Sequence, residues 1–251
     1  MATYVVSDLH GQYKLFKEGL EKIGFSEDDM LYVIGDVIDR GKDGIKLLQC
    51  IKRNKNMDLL IGNHEHMMLN SVDPDGKEAC DGEDYDLWLF LNGGNVTYDH
   101  YLKMTEKSRK SLLAWLRNRY VIKTLEVGGK KFCLTHSYYD PDLENKKCRE
   151  LSYMETWRIV WKSLFREERA THGTDIYKDY DYTFIIGHVP VQRIRASYTA
   201  EEDFSRLEIY RQGNLIDIDG GCSFMGRNGI KSGALFLRLD DMEVFPVELV
   251  V

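Results

Sequence analysis

Six side chains with carboxylate, imidazole or amide donor atoms occur in short polar segments that each follow an apolar run. They are Asp8, His10, Asp36, Asn63, His136 and His188. Donors of this kind, without a thiolate among them, suit manganese, iron or zinc. One carboxylate can bridge two cations, and Asp36 stands in the middle of the order. The sequence therefore predicts a site for two divalent metal ions that share Asp36.

The other five donors are divided between the two metals. Asp8 and His10 complete the first site with Asp36, and the second site takes the rest: Asn63, His136 and His188. Two divalent cations bring about +4, which is more than the carboxylates return, so the pocket stays positive. A positive pocket suits a phosphoryl group. We expect manganese as the metal, with iron or zinc as alternatives.

Residues beside the candidate ligands supply the other groups that a phosphate hydrolase needs. Arg40 has a planar fork that can bind two phosphate oxygens at once, and Asn63 is a second candidate for substrate binding. A leaving alkoxide needs a proton, for which His64 is the candidate acid, and Asp39 can hold its ring in the useful tautomer. The alternative for Asp39 and Arg40 is a simple surface salt bridge.

Short runs rich in β-branched or aromatic residues are predicted to be strands, and the first five are followed at once by candidate ligands. The runs are residues 4–6, 31–34, 59–61, 132–134, 184–186 and 215–218, with later strands at 234–239 and 244–250. The carboxyl ends of strands in an open α/β sheet border one crevice. The candidate ligands should therefore meet there.

Apolar residues at helical spacing separate the first three strands. Further helices are predicted at residues 106–119 and 153–169. Alternating strands and helices followed by consecutive strands indicate an α/β fold in which two sheets pack face to face with helices outside, a four-layer αββα sandwich. We expect residues 1–251 to form one such domain.

The motifs Ser7-Asp8-Leu9-His10-Gly11, Gly35 to Gly41, Gly62 to Glu65, His136 and Gly187-His188 resemble a known pattern. It is that of the phosphoprotein-phosphatase branch of the calcineurin-like metallophosphoesterases: GDxHG, GDxVDRG, GNHE and two later histidines. Residues 91–94, and residues 217–222 followed by 232–239, also look like segments of its bacterial and phage members, which include symmetrical dinucleoside-tetraphosphate hydrolases. The resemblance implies the two-sheet sandwich and the metal and proton roles given above.

Many members of that branch carry a second phosphate-binding arginine soon after a tryptophan. In this sequence Trp161 is followed by Lys162 and Ser163, so the position departs from the pattern. Arg166 is the candidate for that role.

Composition excludes several other classes of protein. A net charge of −7 opposes non-specific nucleic-acid binding. The tryptophans Trp88, Trp115 and Trp157 stand at helical spacing with leucines and valines, which favours core positions over a base-stacking platform. An odd number of cysteines, five, argues against a disulfide framework. With no targeting segment and no membrane-length apolar run, we expect a cytoplasmic protein. The oligomeric state stays open.

The leading hypothesis is hydrolysis of phosphomonoesters, with phosphoserine or phosphothreonine in proteins as substrate, by direct attack of water and without a covalent phosphoenzyme. A symmetrical bis(5′-nucleosyl)-tetraphosphatase, which cleaves a phosphoanhydride, is the nearest alternative. A non-catalytic binding module that keeps the fold is the third. Phosphorylated proteins, small phosphoesters or nucleotides, rather than nucleic acids or membranes, are the partners that these hypotheses require.

Overall fold

Two five-stranded sheets form the centre of the protein in a computed structural model that describes residues 1–163, 177–198 and 204–250. The strands are β1 (Thr3–Val6), β2 (Met30–Ile34), β3 (Met57–Leu60), β4 (Ile122–Val127), β5 (Lys130–Thr135), β6 (Thr183–Ile186), β7 (Tyr210–Gln212), β8 (Leu215–Asp217), β9 (Gly233–Arg238) and β10 (Val244–Glu248). The first sheet has the order β10-β9-β1-β2-β3 and the second β4-β5-β6-β8-β7. In each sheet the three adjacent strands nearest the site run parallel: β1, β2 and β3, then β5, β6 and β8.

Alternate residues of the strands enter two different apolar cores. Val5 and Ile34 of the first sheet share one core with Leu134 and Ile185 of the second, so this core lies between the sheets. Their neighbour Val33 belongs to the other core, which includes the apolar faces of the helices. The period of two along a strand places successive side chains on opposite faces. Both faces of the sheets are therefore covered.

Seven α-helices in the described ranges surround the sheets. They are α1 (Tyr13–Lys22), α2 (Gly44–Arg53), α3 (Asn63–Ser71), α4 (Asn95–Leu102), α5 (Glu106–Arg117), α6 (Tyr153–Trp161) and α7 (Val191–Tyr198), with a π-helical turn at Leu87–Leu91. The start of α6 is set by a capping box, in which Ser152 and Glu155 satisfy backbone N–H groups at the helix end. None of the described helices combines the length and the apolar character that crossing a bilayer requires.

The predicted fold class is confirmed: two mixed sheets are flanked by helices. The sequence missed the two edge strands β4 and β7. The predicted helix at 106–119 ends at Arg117, and the one at 153–169 ends at Trp161, with residues 164–169 outside the described ranges. Trp88 is buried as predicted, whereas the core assignment of Trp157 is wrong, because 37% of that side chain is exposed.

Candidate metal centre and active site

The predicted ligands all lie where parallel strands end. Asp8 and His10 follow β1, Asp36 follows β2, and Asn63 opens α3 just after β3. His136 and His188 follow β5 and β6 of the other sheet. The backbone N–H of Gly187 donates to the carbonyl of His136 over 3.0 Å, which ties these two loops together. The loops of both sheets thus face one crevice.

Asp36 stands at the centre of two groups of donor atoms. Its Oδ2 is 3.9 Å from Nε2 of His10, and its Oδ1 is 3.4 Å from Nε2 of His136. Donor atoms of His10, Asp36 and His64 lie within 4.8 Å of one another, and the same holds for Asp36, His136 and His188. Asp36 is therefore common to both groups, which is the geometry that a bridging ligand needs.

Asn63 connects the second group. Its Oδ1 is 3.0 Å from Nε2 of His136 and 3.0 Å from Nδ1 of His188. The backbone N–H of the next residue, His64, donates to Oδ1 of Asp36 over 3.1 Å. The amide oxygen and the central carboxylate are thus held beside the same pair of rings.

Asp8 has a different environment from the other candidate ligands. Its carboxylate accepts hydrogen bonds from the hydroxyl of Ser7 and from the backbone N–H of His188, the latter over 3.1 Å. It belongs to neither of the two groups of donor atoms. His64, which we assign to proton transfer, lies in the first group instead. The roles assigned to these two residues remain predictions.

Hydrogen bonds to backbone carbonyls orient two of the histidine rings. Nδ1 of His10 is 3.1 Å from the carbonyl of Ile38, and Nδ1 of His136 is 2.9 Å from that of Ile34. A proton held at Nδ1 leaves the Nε2 lone pair directed at Asp36. Burial also lowers the pKa of His136 to about 4 and that of His10 well below its usual value, so both rings are neutral, as ligation requires.

Buried carboxylates face one another in the crevice. Burial, followed by repulsion from Asp219 and Asp36, raises the pKa of Asp8 well above its usual value. Burial and the neighbouring Glu65 do the same for the pKa of Asp36. Clustered buried carboxylates are expensive to ionise unless a cation offsets their charge. With neutral imidazoles beside them, the donor set fits divalent metal ions.

His64 and Asp39 form a hydrogen-bonded pair next to this centre. Nδ1 of His64 is 2.6 Å from Oδ2 of Asp39, and both side chains are fully buried. Asp39 Oδ2 also accepts from Nε1 of Trp88 over 2.9 Å, and Thr97 accepts from the backbone N–H of Asp39. Burial raises the pKa of Asp39 to about 7. The alternative of a surface salt bridge at Asp39 is thereby wrong.

Arg40 reaches over both imidazoles. Its Nη1 is 2.6 Å from Nε2 of His10 and its Nη2 is 3.2 Å from Nε2 of His64. Its backbone N–H donates to the carbonyl of Gly93 over 3.2 Å, so the segment that resembles the bacterial members supports this residue. The guanidinium lines a cavity of about 490 Å³ together with His64 and Asn63. A phosphoryl group in this cavity would be within reach of the fork.

The backbone of the site adopts conformations that most residues avoid. Positive φ angles occur at Asp8 (53°), His10 (41°), Asp36 (52°), Asp39 (70°), Arg40 (65°) and His188 (74°). The left-handed region costs a non-glycine residue roughly 1–2 kcal/mol. Strain concentrated in six residues of one crevice is typical of a functional site rather than of a strand end that merely turns.

Two further buried acidic residues support the site, and the sequence did not single them out. Glu65 accepts hydrogen bonds from the backbone N–H groups of Asp36, Val37 and Gly62 over 2.8, 2.9 and 3.1 Å. Asp219, which follows β8, lines the cavity. The motif that contains Glu65 was the one sequence signal for this residue. It could not indicate the role of Glu65, because the backbone groups that Glu65 binds lie up to 29 positions away in the sequence. The candidate Arg166 lies outside the described residues.

The fold and the crevice define a class of metal-dependent hydrolases. Residues 1–218 match the model of the calcineurin-like phosphoesterase family, and the chain belongs to that family. It is a metallophosphoesterase, a hydrolase that acts on phosphoester bonds, and the family implies divalent metal ions.

Relatives with two different names resemble the chain over most of its length. A symmetrical bis(5′-nucleosyl)-tetraphosphatase of Nitrosospira multiformis is 39% identical in an alignment of 281 positions, gaps included, which covers 99% of this chain and 96% of that protein. Serine/threonine-protein phosphatase 2 of Escherichia coli is 28% identical over 218 residues, or 83% and 91% of the two chains. A metallophosphoesterase structure from Sphaerobacter thermophilus superposes with a TM-score of 0.54 at 13% identity, covering 100% and 88%.

Proposed function

We propose that the chain hydrolyses phosphomonoesters and that phosphoserine or phosphothreonine side chains of proteins are its substrates. The observation that carries this proposal is the 2.6 Å contact between His64 and Asp39 at the cavity. An alkoxide is a poor leaving group that requires a proton, and a buried imidazole held by a carboxylate can supply one. The proposal includes a single domain over residues 1–251 and a cytoplasmic location.

The proposal includes two divalent metal ions, with manganese as the expected element. Asp8, His10 and Asp36 would hold one ion, while Asp36 and the second group would hold the other: Asn63, His136 and His188. Carboxylate oxygen and imidazole nitrogen are acceptable to manganese, iron and zinc alike. When bound, such a pair of ions neutralises phosphoryl charge and makes water a stronger nucleophile.

The chain's own residues bind the substrate and move the proton. Arg40 binds two phosphoryl oxygens through its fork and fixes the orientation of the phosphorus for in-line attack. Asp39 keeps a proton on Nδ1 of His64, so a second proton on that ring has to be carried at Nε2. Burial, followed by the charge of Arg40, lowers the pKa of His64 well below its usual value, so a proton at Nε2 is readily given up. This proton passes to the oxygen of the departing alcohol. Asn63 gives additional support to the bound phosphate.

A symmetrical bis(5′-nucleosyl)-tetraphosphatase is the second candidate function. It is favoured by the Nitrosospira relative, which the chain matches over 96% of that protein's length. A nucleotide that leaves from a phosphoanhydride needs little protonation. The hydrogen-bonded pair of His64 and Asp39 is therefore less important in this reaction than in phosphomonoester hydrolysis.

A competition assay with the manganese-loaded protein separates these functions. A phosphoserine peptide, a small phosphomonoester and diadenosine tetraphosphate are offered together, and specificity constants are compared. A preference of more than tenfold, equivalent to about 1.4 kcal/mol in transition-state binding, decides between them. We expect the phosphopeptide to be preferred. Near-full activity of the His64→Asn variant on diadenosine tetraphosphate would instead favour the second candidate, and the absence of any hydrolysis would support a non-catalytic binding module.

A further inference from the structure

Arg193 adds a second guanidinium to the wall of the cavity. It lies on α7, five positions after His188, and lines the same cavity as Arg40 and His64. No sequence pattern assigned a role to Arg193. Arg40 sits directly over the imidazoles, whereas Arg193 belongs to a different element, so the two cations reach the cavity from separate parts of the chain.

The helix that carries Arg193 is fixed at its base. Nε2 of Gln192 donates to the carbonyls of Gly220 and Lys231 over 3.0 and 2.8 Å. Nη2 of Arg195 donates to the carbonyl of Glu208 over 2.6 Å. Gln192 and Arg195 therefore anchor the helix to the body of the protein, while Arg193 itself is exposed.

Arg193 is held in place by an aromatic ring rather than by an acid. Its guanidinium carbon is 5.3 Å from the centre of the Phe224 ring. Among the ion pairs of the described residues, none involves Arg193. Stacking on an aromatic face restricts the guanidinium but leaves its in-plane N–H donors open. These donors suit a planar or tetrahedral oxyanion.

Ser163 contributes a second available donor to the same cavity. Its side chain is 5% exposed, and its Oγ has no hydrogen-bond partner. A buried hydroxyl without a partner is costly, and it is accommodated when a ligand completes its hydrogen bond. Burial raises the pKa of Asp219 to about 7, and the charges of Arg40 and Arg193 both oppose this rise, so the two guanidiniums act on one region of the cavity.

We propose that Arg193, with the hydroxyl of Ser163 as an additional donor, binds a second anionic oxygen group of the substrate, distinct from the phosphoryl group that is hydrolysed. The group is a phosphate or a carboxylate. A substrate of the proposed phosphatase supplies it as an acidic residue next to phosphoserine, and a dinucleoside polyphosphate supplies it as a neighbouring phosphate. This inference rests on the proposed function and names the feature by which the site selects substrates.

Kinetics of an Arg193→Gln variant test the proposal. The manganese-loaded wild type and variant are compared on p-nitrophenyl phosphate, on two phosphoserine peptides with either glutamate or alanine beside the phosphoserine, and on diadenosine tetraphosphate. We expect kcat/KM to fall at least tenfold more for a substrate with a second anionic group than for p-nitrophenyl phosphate, mainly through KM. Loss confined to the glutamate peptide identifies a carboxylate, and loss confined to the dinucleotide identifies a phosphate.

Arg227→Gln is the matched control, because Arg227 is an exposed arginine outside the cavity lining. It removes the same charge from the molecule and should leave all four substrates within twofold of the wild type. Arg193→Lys keeps the charge without the fork and should recover only part of the affinity. Equal losses on all substrates, or no loss on any, would overturn the proposal.

A binding measurement gives an answer that does not depend on turnover. Calorimetry compares orthophosphate with methylenediphosphonate, a stable ligand with two phosphoryl groups, on both proteins at saturating manganese. The diphosphonate should bind at least tenfold more weakly to Arg193→Gln, whereas orthophosphate should differ by less than threefold. Equal affinity of the diphosphonate for both proteins would exclude the subsite, even if no substrate were hydrolysed and the proposed function itself had failed.

Discussion

Individual side chains of the crevice have distinct environments despite their proximity. Trp88 illustrates this at the scale of one residue. Its ring is fully buried, as the apolar spacing predicted, yet its Nε1 donates to Asp39 over a separation of 49 positions. Helical periodicity identifies a buried face, but it does not tell which polar atom will be placed beside a buried indole. The hydrogen bond by which Trp88 supports the pair of His64 and Asp39 was therefore visible only in the three-dimensional structure.

Replacement of His64 by asparagine tests its assignment as the acid. We expect kcat for phosphomonoesters to fall about 10²- to 10⁴-fold, because the departing alkoxide loses its proton donor. The loss should be larger for an alkyl phosphate than for p-nitrophenyl phosphate, whose leaving group is more acidic. Steady-state kinetics with both substrates measure the difference, and metal analysis should show an unchanged content.

The control is His100→Asn on α4, outside the cavity lining, which should behave as the wild type. A His64→Asn variant that loses its metal would instead make this residue a ligand, consistent with its position in the group with His10 and Asp36. Equal losses on both phosphomonoesters with metal retained would contradict proton donation.

At the scale of elements, the loops after β2 and β3 pack too closely for side chains between them. A Cβ atom on Gly62 would lie 2.3 Å from Oδ1 of Asp36. We expect Gly62→Ala to displace this carboxylate and to weaken manganese binding at least tenfold, as measured by calorimetry. Gly213→Ala, whose Cβ meets nothing within 4 Å, should lower stability through its φ of 58° without changing metal affinity.

Glu65 connects the same two loops through the backbone. In the wild type, three backbone N–H groups donate to the carboxylate oxygens of Glu65. A Glu65→Gln variant places an NH₂ group, which cannot accept, against some of these donors. We expect the free energy of unfolding in urea to fall by about 2–4 kcal/mol, because buried N–H groups lose their acceptor. Glu106→Gln, at the exposed first turn of α5, should change it by less than about 1 kcal/mol. Similar values for the two variants would contradict the role assigned to Glu65.

Sequence patterns predicted the five strands that lead to the candidate ligands, β1, β2, β3, β5 and β6, but not the edge strands β4 and β7 of the second sheet. Each of these five strands combines a run of apolar residues with a donor shortly after it, as in Val33, Ile34 and Asp36. The edge strand β4 has mostly half-buried residues and no ligand after it, so its pattern is weak. Arg193 was missed for a similar reason, since an exposed arginine on a helix gives no signal until the fold places it in a cavity.

At the scale of the whole molecule, charge couples metal binding to pH. In the metal-free chain the pKa values of Asp8 and Asp36 are raised, so these carboxyls retain protons at pH values where they would be ionised in the unfolded chain. This stabilises the metal-free fold at low pH, and the benefit is lost as pH rises through the folded pKa values. A cation must displace the same protons.

We therefore expect the apparent affinity for manganese to increase as the pH rises above the ordinary pKa range of a carboxyl group, because burial raises the pKa values of Asp8 and Asp36. The lowered pKa values of His10 and His136 keep their rings neutral, so these residues contribute little to the change. Calorimetry in buffers of different ionisation enthalpy measures the protons released. The increase in Tm on adding manganese should also be larger at the higher pH. An affinity independent of pH would contradict the assignment of Asp36 as a shared ligand.

Left-handed backbone at six residues of the crevice also bears on how this protein would respond to selection for heat resistance. Glycine adopts these angles without the penalty of roughly 1–2 kcal/mol that a side chain brings. Replacing Arg40 by glycine would relieve local strain while removing a functional group. A screen that rewards only survival at high temperature would therefore enrich inactive proteins, and a stabilised version of this chain has to be sought away from the ends of its parallel strands.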